Sequence, residues 1–387
     1  MNISYNTQTN LLDIQLNLEC EDELSNKILN LINSHYLEKN NSDKQNNSDK
    51  QNNCEDYSLK INGSDDSTNF ENKIVKLDNI LNKLSYINEI IFNNNFDCGI
   101  NFLKHINLKK IIFGYKFNSD FILPNSIIEI NFGDEFNRDI FNLPSNLKII
   151  HFGDKFNQLI NWLPDSIEII KLGKHFNQSI NKLPKNLIEL YFDSNSVFNS
   201  YSDINYSLDN LPPLKRLYLG RRFNQTINYL PNSLEILEFP FESNFIHPLD
   251  NLPSSIKKLI LPYDYSCLLD NLPESIEELV ILSSKNKINK FPKSLKYLSI
   301  NIELIEILNI IDFDNLESLT VIDVGLSNKN FNKLINQEKI KSIYYHIHYS
   351  YKYLNLTWIN NDINKKNYVP IHIKDECSYV IFKIIKN

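Results

Sequence analysis

A Leu-Pro pair returns every 20 residues, at Leu123, Leu143, Leu163 and Leu183, and nothing else in the chain constrains its fold as tightly. Within one such period, Leu147-x-x-Ile150-x-Phe152-Gly153 is followed by Phe156-Asn157, then Ile160, then Leu163-Pro164. The same order runs through Ile127, Ile130, Phe132, Gly133, Phe136, Asn137 and Ile140, and again through Ile167, Ile170, Leu172, Gly173, Phe176, Asn177 and Ile180. Consecutive near-identical units mean a repeat architecture, in which each unit is one coil packed on its neighbours. Looser copies lie upstream, at Ile87-x-x-Ile90-x-Phe92 and at Leu108-x-x-Ile111-x-Phe113-Gly114 with Phe117-Asn118. Others follow downstream from Leu214, Leu234, Ile256, Ile276, Leu295 and Leu316. Together they make about a dozen coils of roughly 20–22 residues, covering residues 73–345.

The spacing dictates how one coil is built. Ile150 and Phe152 sit two apart and share one face of a short strand. Gly153 permits a turn, and Phe156, Ile160 and Leu163 bring apolar side chains back to the same interior. Pro164 lacks a backbone donor and has a fixed φ, which suits an irregular return path and discourages a long helix. Ser166 or Asn146, two residues after the proline, can hydrogen-bond nearby backbone at the entry to the next strand. A lone coil buries too little to offset the entropy of ordering it, so the coils must stack through parallel strands. The fold class is therefore an α/β-type repeat solenoid with a parallel β-sheet.

These residues resemble a known family. The Leu-Pro…Leu-x-x-Leu-x-Phe-Gly-x-x-Phe-Asn-x-x-Ile pattern is similar to the FNIP repeat, a leucine-rich-repeat-like family of amoebae and of large DNA viruses that infect them. Its best copies are at Phe136-Asn137, Phe156-Asn157, Phe176-Asn177 and Phe223-Asn224. The pattern departs at Phe245-Ile246 and at Cys267, where the Phe-Asn pair is missing, and extra residues from Asn195 to Ser207 read as an insertion. The resemblance implies that Asn137, Asn157 and Asn177 form a ladder of side-chain bonds to backbone along the stack.

The flanks differ in kind. Leu11 to Leu18 reads as a strand, and Asp22 to Leu37 as an amphipathic helix with Ile28, Leu31, Ile32 and Tyr36 at helical spacing. Together they form a strand-helix segment over residues 1–37. Asn40-Asn41-Ser42-Asp43-Lys44-Gln45 is repeated verbatim from Asn46 to Gln51, so residues 38–72 read as a low-complexity, disordered linker. Residues 346–387 read as a C-terminal cap, in which Val369 to Ile385 alternates apolar and polar like edge strands. Many FNIP proteins are similar to F-box adaptors at their N-terminus. Here the helix opens at Glu21-Asp22-Glu23-Leu24 without a preceding Leu-Pro, which favours a capping element over a degenerate adaptor.

Composition narrows the function classes. The absence of alanine and the excess of lysine over arginine reflect an A/T-rich genome rather than selection for particular chemistry. A net charge of −7 argues against a nucleic-acid backbone binder. No apolar run approaches the ~20 residues that span a bilayer, and the polar start, Met1 to Asn10, lacks the order of a secretion signal. Cys20, Cys54, Cys98, Cys267 and Cys377 are scattered and form no C-x-x-C pair, which fits a reducing, intracellular compartment.

Catalytic candidates are few. His346 and His348 share a strand face, but no third ligand has suitable spacing. Cys377 lies where some leucine-rich-repeat ubiquitin ligases carry their nucleophile, without room for their helical catalytic domain. Phosphate-binding and hydrolase motifs are missing, so no enzyme, cofactor or metal is expected. The better candidates are the outward strand positions of a concave sheet: Ile149, His151, Ile169, Lys171, Tyr191, Arg216, Tyr218, Ile236 and Ile260, beside Glu129, Asn131, Glu189, Glu238 and Lys258. Exposed isoleucines beside tyrosines and an arginine match the chemistry of interface hot spots. The expected function is a non-catalytic scaffold that binds a protein partner. The alternatives are a substrate-recognition subunit of a ubiquitin ligase and a weakly self-associating structural protein.

Overall fold

The computed structural model describes residues 87–97, 99–193, 208–301, 303–304 and 315–323, with the backbone of strands at 2–6, 11–17, 57–62, 342–348, 368–374 and 379–384. The chain forms two compact units, Met1–Leu187 and Ile188–Asn387. The expected helix over 22–37 and Cys377 lie outside the described residues.

In the first unit, β1 (Asn2–Asn6) pairs antiparallel with β2 (Leu11–Asn17). From β2 onward the ladder is parallel: β3 (Tyr57–Asn62), β4 (Ile87–Phe92), β5 (Lys110–Ile112), β6 (Glu129–Asn131), β7 (Ile149–His151) and β8 (Ile169–Leu172). Strand β3 corrects the sequence reading, because it lies inside the stretch taken as a disordered linker. Tyr57, Leu59 and Ile61 alternate with Ser58 and Lys60. That period-two signal was obscured by the polar runs around it.

The second unit carries β9 (Glu189–Phe192), β10 (Arg216–Tyr218), β11 (Ile236–Glu238), β12 (Lys258–Ile260), β13 (Glu278–Ile281), β14 (Tyr297–Asn301), β15 (Ser318–Asp323) and β16 (Ser342–His348), again parallel. Strand β16 runs across the expected solenoid–cap boundary at 345/346. After it, β17 (Tyr368–Lys374) and β18 (Tyr379–Ile384) turn antiparallel, with β18 paired to both β16 and β17.

Each coil is a short strand closed by two tight turns. The Phe156 N–H donates to the Gly153 carbonyl at 3.3 Å, and the Leu147 N–H to the Pro144 carbonyl at 3.1 Å. The return path is extended and irregular rather than helical. Among the described residues, helical structure is confined to 3-10 turns at Asn101–Leu103 and 303–304. Proline at the start of every Leu-Pro turn explains why.

Inside the first unit the phenylalanines stack in register. Phe96, Phe117, Phe136, Phe156 and Phe176 form one column with ring centroids 6.2, 6.1, 6.0 and 6.2 Å apart. Phe92, Phe113, Phe132 and Phe152 form a second, at 5.5, 5.4 and 5.7 Å. The two columns touch within a coil, as at Phe152–Phe156, 3.9 Å. In the second unit the first column has a counterpart in Phe223, Phe245 and Tyr265.

The asparagine ladder is present. Asn118, Asn137 and Asn157 each accept, through Oδ1, the backbone N–H of the equivalent residue one coil on: Asn137 at 2.9, Asn157 at 2.9 and Asn177 at 2.8 Å. Asp97 supplies the rung before them, to Asn118 N–H at 2.8 Å. In the second unit Asn224 accepts from Ile246 N–H at 3.1 Å, but isoleucine has no acceptor with which to continue the row. Serine after the proline adds another row: the Ser166 hydroxyl donates to the Leu147 carbonyl and the Ser255 hydroxyl to that of Leu234, at 2.7 and 2.6 Å. The side chain thus reaches across to the preceding coil.

Glycine has a different role from the one the sequence suggests. Among the described residues no glycine has positive φ, so the turn itself does not require it. Gly153 is needed because the previous coil lies against it. A Cβ there would sit 2.2 Å from the Gly133 carbonyl oxygen and 2.5 Å from the Asp134 Cα.

Candidate functional site

Each short strand buries its middle residue and leaves its two neighbours half-buried on the outward face. Ile130, Ile150, Ile170, Leu217, Leu237 and Leu259 are fully buried at those middle positions. Because the ladders are parallel and in register, outward residues of successive coils line up in straight rows.

In the first unit one row reads Lys110, Glu129, Ile149, Ile169, and the next reads Ile112, Asn131, His151, Lys171. Lys110 bridges the Glu89 and Glu129 carboxylates at 3.3 and 3.2 Å. Partial burial works against its charge, but the two carboxylates outweigh that and hold its pKa above the ordinary value. Ile149 and Ile169 are direct cross-strand neighbours, and both are half-buried rather than exposed. Lys171 is exposed.

In the second unit the rows read Glu189, Arg216, Ile236, Lys258, Glu278, Tyr297 and Tyr191, Tyr218, Glu238, Ile260, Val280, Ser299. The Tyr191 and Tyr218 rings stack at 4.0 Å, nearly parallel at 7°. The Tyr191 hydroxyl donates to Glu189 Oε2 at 2.6 Å, and Glu189 also pairs with Arg216. Burial pushes the Tyr191 pKa up, with Tyr218 reinforcing it. Lys258 repeats the arrangement of Lys110, bridging Glu238 at 3.0 Å and Glu278 at 3.3 Å. Ile236 lies between Arg216 and Lys258, and Ile260 between Glu238 and Val280.

The nine positions picked from sequence therefore fall on the outward faces of the two units: four on the first and five on the second. Within each unit the parallel register sets them in adjacent rows. The exposed isoleucine stripe expected from sequence is absent there, since Ile149, Ile169, Ile236 and Ile260 are half-covered between neighbours. The face is instead a mosaic of Glu–Lys–Glu bridges, stacked tyrosines and partly covered isoleucines. Glu278 and Tyr297 belong to it and were missed; extending the strand register two coils further would have found them. His346 and His348 lie on β16, and their side chains fall outside the described residues.

His151 is the group of this face whose pKa burial lowers. Burial first, then the nearby Lys171 and Lys110 charges against a weaker opposing pull from Glu129, lower its pKa from 6.5 to about 4. The imidazole is therefore neutral in the fold at neutral pH. Between pH 6.5 and about 4 the unfolded chain binds a proton that the folded chain excludes, so this contribution to stability is complete above 6.5 and lost as pH falls through that window. His151→Gln should flatten the loss, by on the order of 1 kcal/mol between about pH 7.5 and 5. Urea midpoints of both proteins at the two pH values check this; an unchanged pH dependence in the variant would refute it.

A separate feature of the second unit arises at a lengthened turn. The turn from Pro240 to Phe245 holds two residues more than the one from Pro262 to Tyr265. Phe241 stacks on Tyr263 at 5.0 Å, and Arg221 pairs with Glu242 at 2.8 Å. These residues, with Ile246 and Asp264, line an open cavity of about 500 Å³.

Comparison with known families agrees with the coil geometry. Residues 121–155, 156–195 and 208–242 match the FNIP Repeat model. No curated protein matches the chain.

Proposed function

We propose that this chain, an FNIP repeat-containing protein, is a non-catalytic scaffold that binds a protein partner through the outward strand face of its coils. One observation carries the reading. The residues that recur from coil to coil are those used in stacking: Phe156 in its column, Asn157 in its ladder, Gly153 against the neighbouring coil. The outward positions are held as firmly by the strand register, yet their chemistry varies along the stack, from Ile149 and His151 to Arg216 and Tyr218 to Lys258 and Ile260. Varied side chains on an invariant, rigid frame suit recognition of an extended surface. Paired tyrosines and an arginine in the second unit supply the residue types that dominate interface energies.

The test is affinity capture from host-cell lysate with wild type and with the Tyr191→Ala/Tyr218→Ala double variant, both checked for native circular dichroism. A specific protein retained by wild type and reduced at least tenfold in the variant is the expected result. An identical catch from both would remove the strand face of the second unit from the proposal.

A further inference from the structure

We propose that the return path of the first unit is the contact surface of a homodimer. This surface is separate from the strand face. Ile122, Phe141, Leu159 and Trp162 are 47, 57, 49 and 64% exposed, and they sit on consecutive coils just ahead of Leu123-Pro124, Leu143-Pro144 and Leu163-Pro164. Ile122 and Trp162 occupy the same position of the repeat, with Phe141 on the coil between them. Coils about 4.8 Å apart bring such positions into one patch.

The middle of this patch is turned outward at a conformational cost. Phe121, the counterpart of Phe141 one coil earlier, packs its ring 5.5 Å from Phe132 and 5.8 Å from Phe136. Phe141 faces solvent instead. The next residue, Asn142, is the one non-glycine residue with positive φ among those described, at 61°. Asparagine tolerates that left-handed conformation better than most residues, but it remains unfavourable. An exposed phenylalanine next to a strained backbone on the same turn is the pattern of a surface shaped for contact.

Area and charge point to a second copy as the occupant. Four large side chains at these exposures present about 400 Å² of apolar surface. A standard interface takes about 800 Å² per partner, about two-thirds of it apolar in homodimers, so the patch supplies most of what one side of a dimer needs. Its rim carries both signs: Arg138 pairs with Asp120 and Lys185 with Asp165, each at 3.2 Å. A twofold axis can set such a mixed rim against itself. An anionic lipid surface is a poorer match, with these carboxylates present and a net charge of −7.

Sedimentation equilibrium of the full chain from about 1 to 100 µM decides the question. The expected result is a rise from the 45.5 kDa monomer to twice that mass, with a dissociation constant in the micromolar range. Phe141→Glu/Trp162→Glu should weaken it by at least about 100-fold with an unchanged circular dichroism spectrum. Leu159→Lys alone serves if the double variant does not fold. Tyr191→Ala/Tyr218→Ala, on the other unit, should dimerise like wild type, which separates this proposal from the strand-face reading. A monomer at the highest concentration, or a dimer unaffected by the patch variants, would overturn it.

Discussion

Gly153→Ala is expected to destabilise the first unit by about 3 kcal/mol or more, although the change adds a single methyl group. Substituting alanine for glycine normally stabilises an ordinary backbone position by restricting the unfolded chain. Here the methyl has no space. It would lie 2.2 Å from the carbonyl oxygen of Gly133 and 2.5 Å from the Asp134 Cα, and both obstacles are backbone. Relief requires the coils to separate. Separation would stretch the Lys155 N–H to Asp134 carbonyl bond, now 2.8 Å, and the Asn157 rung on Asn137, 2.9 Å. Gly99→Ala is the internal control, because an added Cβ there meets its nearest atom, the Asp120 carbonyl oxygen, at an ordinary 3.5 Å. Urea unfolding followed by circular dichroism should show a large fall in midpoint for Gly153→Ala and almost none for Gly99→Ala. Equal midpoints for the two variants would mean that the coils are not in backbone contact at this turn.

Phe156→Ala should lower stability by about 3–5 kcal/mol, in the range for truncating a fully buried aromatic. Phe156 has no solvent exposure, and its ring meets three others: Phe136 at 6.0 Å, Phe176 at 6.2 Å and Phe152 at 3.9 Å. A cavity at this point interrupts the column in the middle of the stack. Because coils are coupled chiefly to nearest neighbours, the loss should be local. Hydrogen exchange should show the greatest loss of protection in the amides of β6, β7 and β8, with those of β11 and β12 little changed. Phe156→Leu retains apolar volume and should cost about half as much. Uniform loss of protection across both units would contradict nearest-neighbour coupling. Loss below about 1 kcal/mol would mean that the column is not tightly packed.

Both predictions concern the same kind of contact. Ion pairs between coils, such as Lys155–Glu135 at 2.6 Å and Lys174–Asp154 at 2.7 Å, are regular but partly solvated, and each contributes little. The glycine contact, the phenylalanine columns and the asparagine ladder are buried or satisfy backbone groups, and they carry the stacking.

What the amino-acid order determined by itself is the coil. A period of 20 residues sets which side chains lie above one another, and spacing within it decides inside from outside. Ile150, Phe152, Phe156 and Ile160 are buried as their positions require, and the ladder of Asn137, Asn157 and Asn177 was expected from the resemblance to the FNIP repeat rather than from spacing alone. The outward strand positions were legible for the same reason, since strand alternation is local. Contacts between coils were not legible, because they depend on the distance between backbones rather than on spacing along one. Gly153 reads as a turn residue until the neighbouring carbonyl is seen against it. Ile149 and Ile169 read as exposed until the register sets them side by side. Phe121 and Phe141 hold the same position of the repeat, yet one ring packs inward and the other faces solvent beside the positive φ of Asn142. The repeat specifies which residues are neighbours. How closely those neighbours approach is decided by the assembled stack, where backbone sterics and packing between coils replace local propensity.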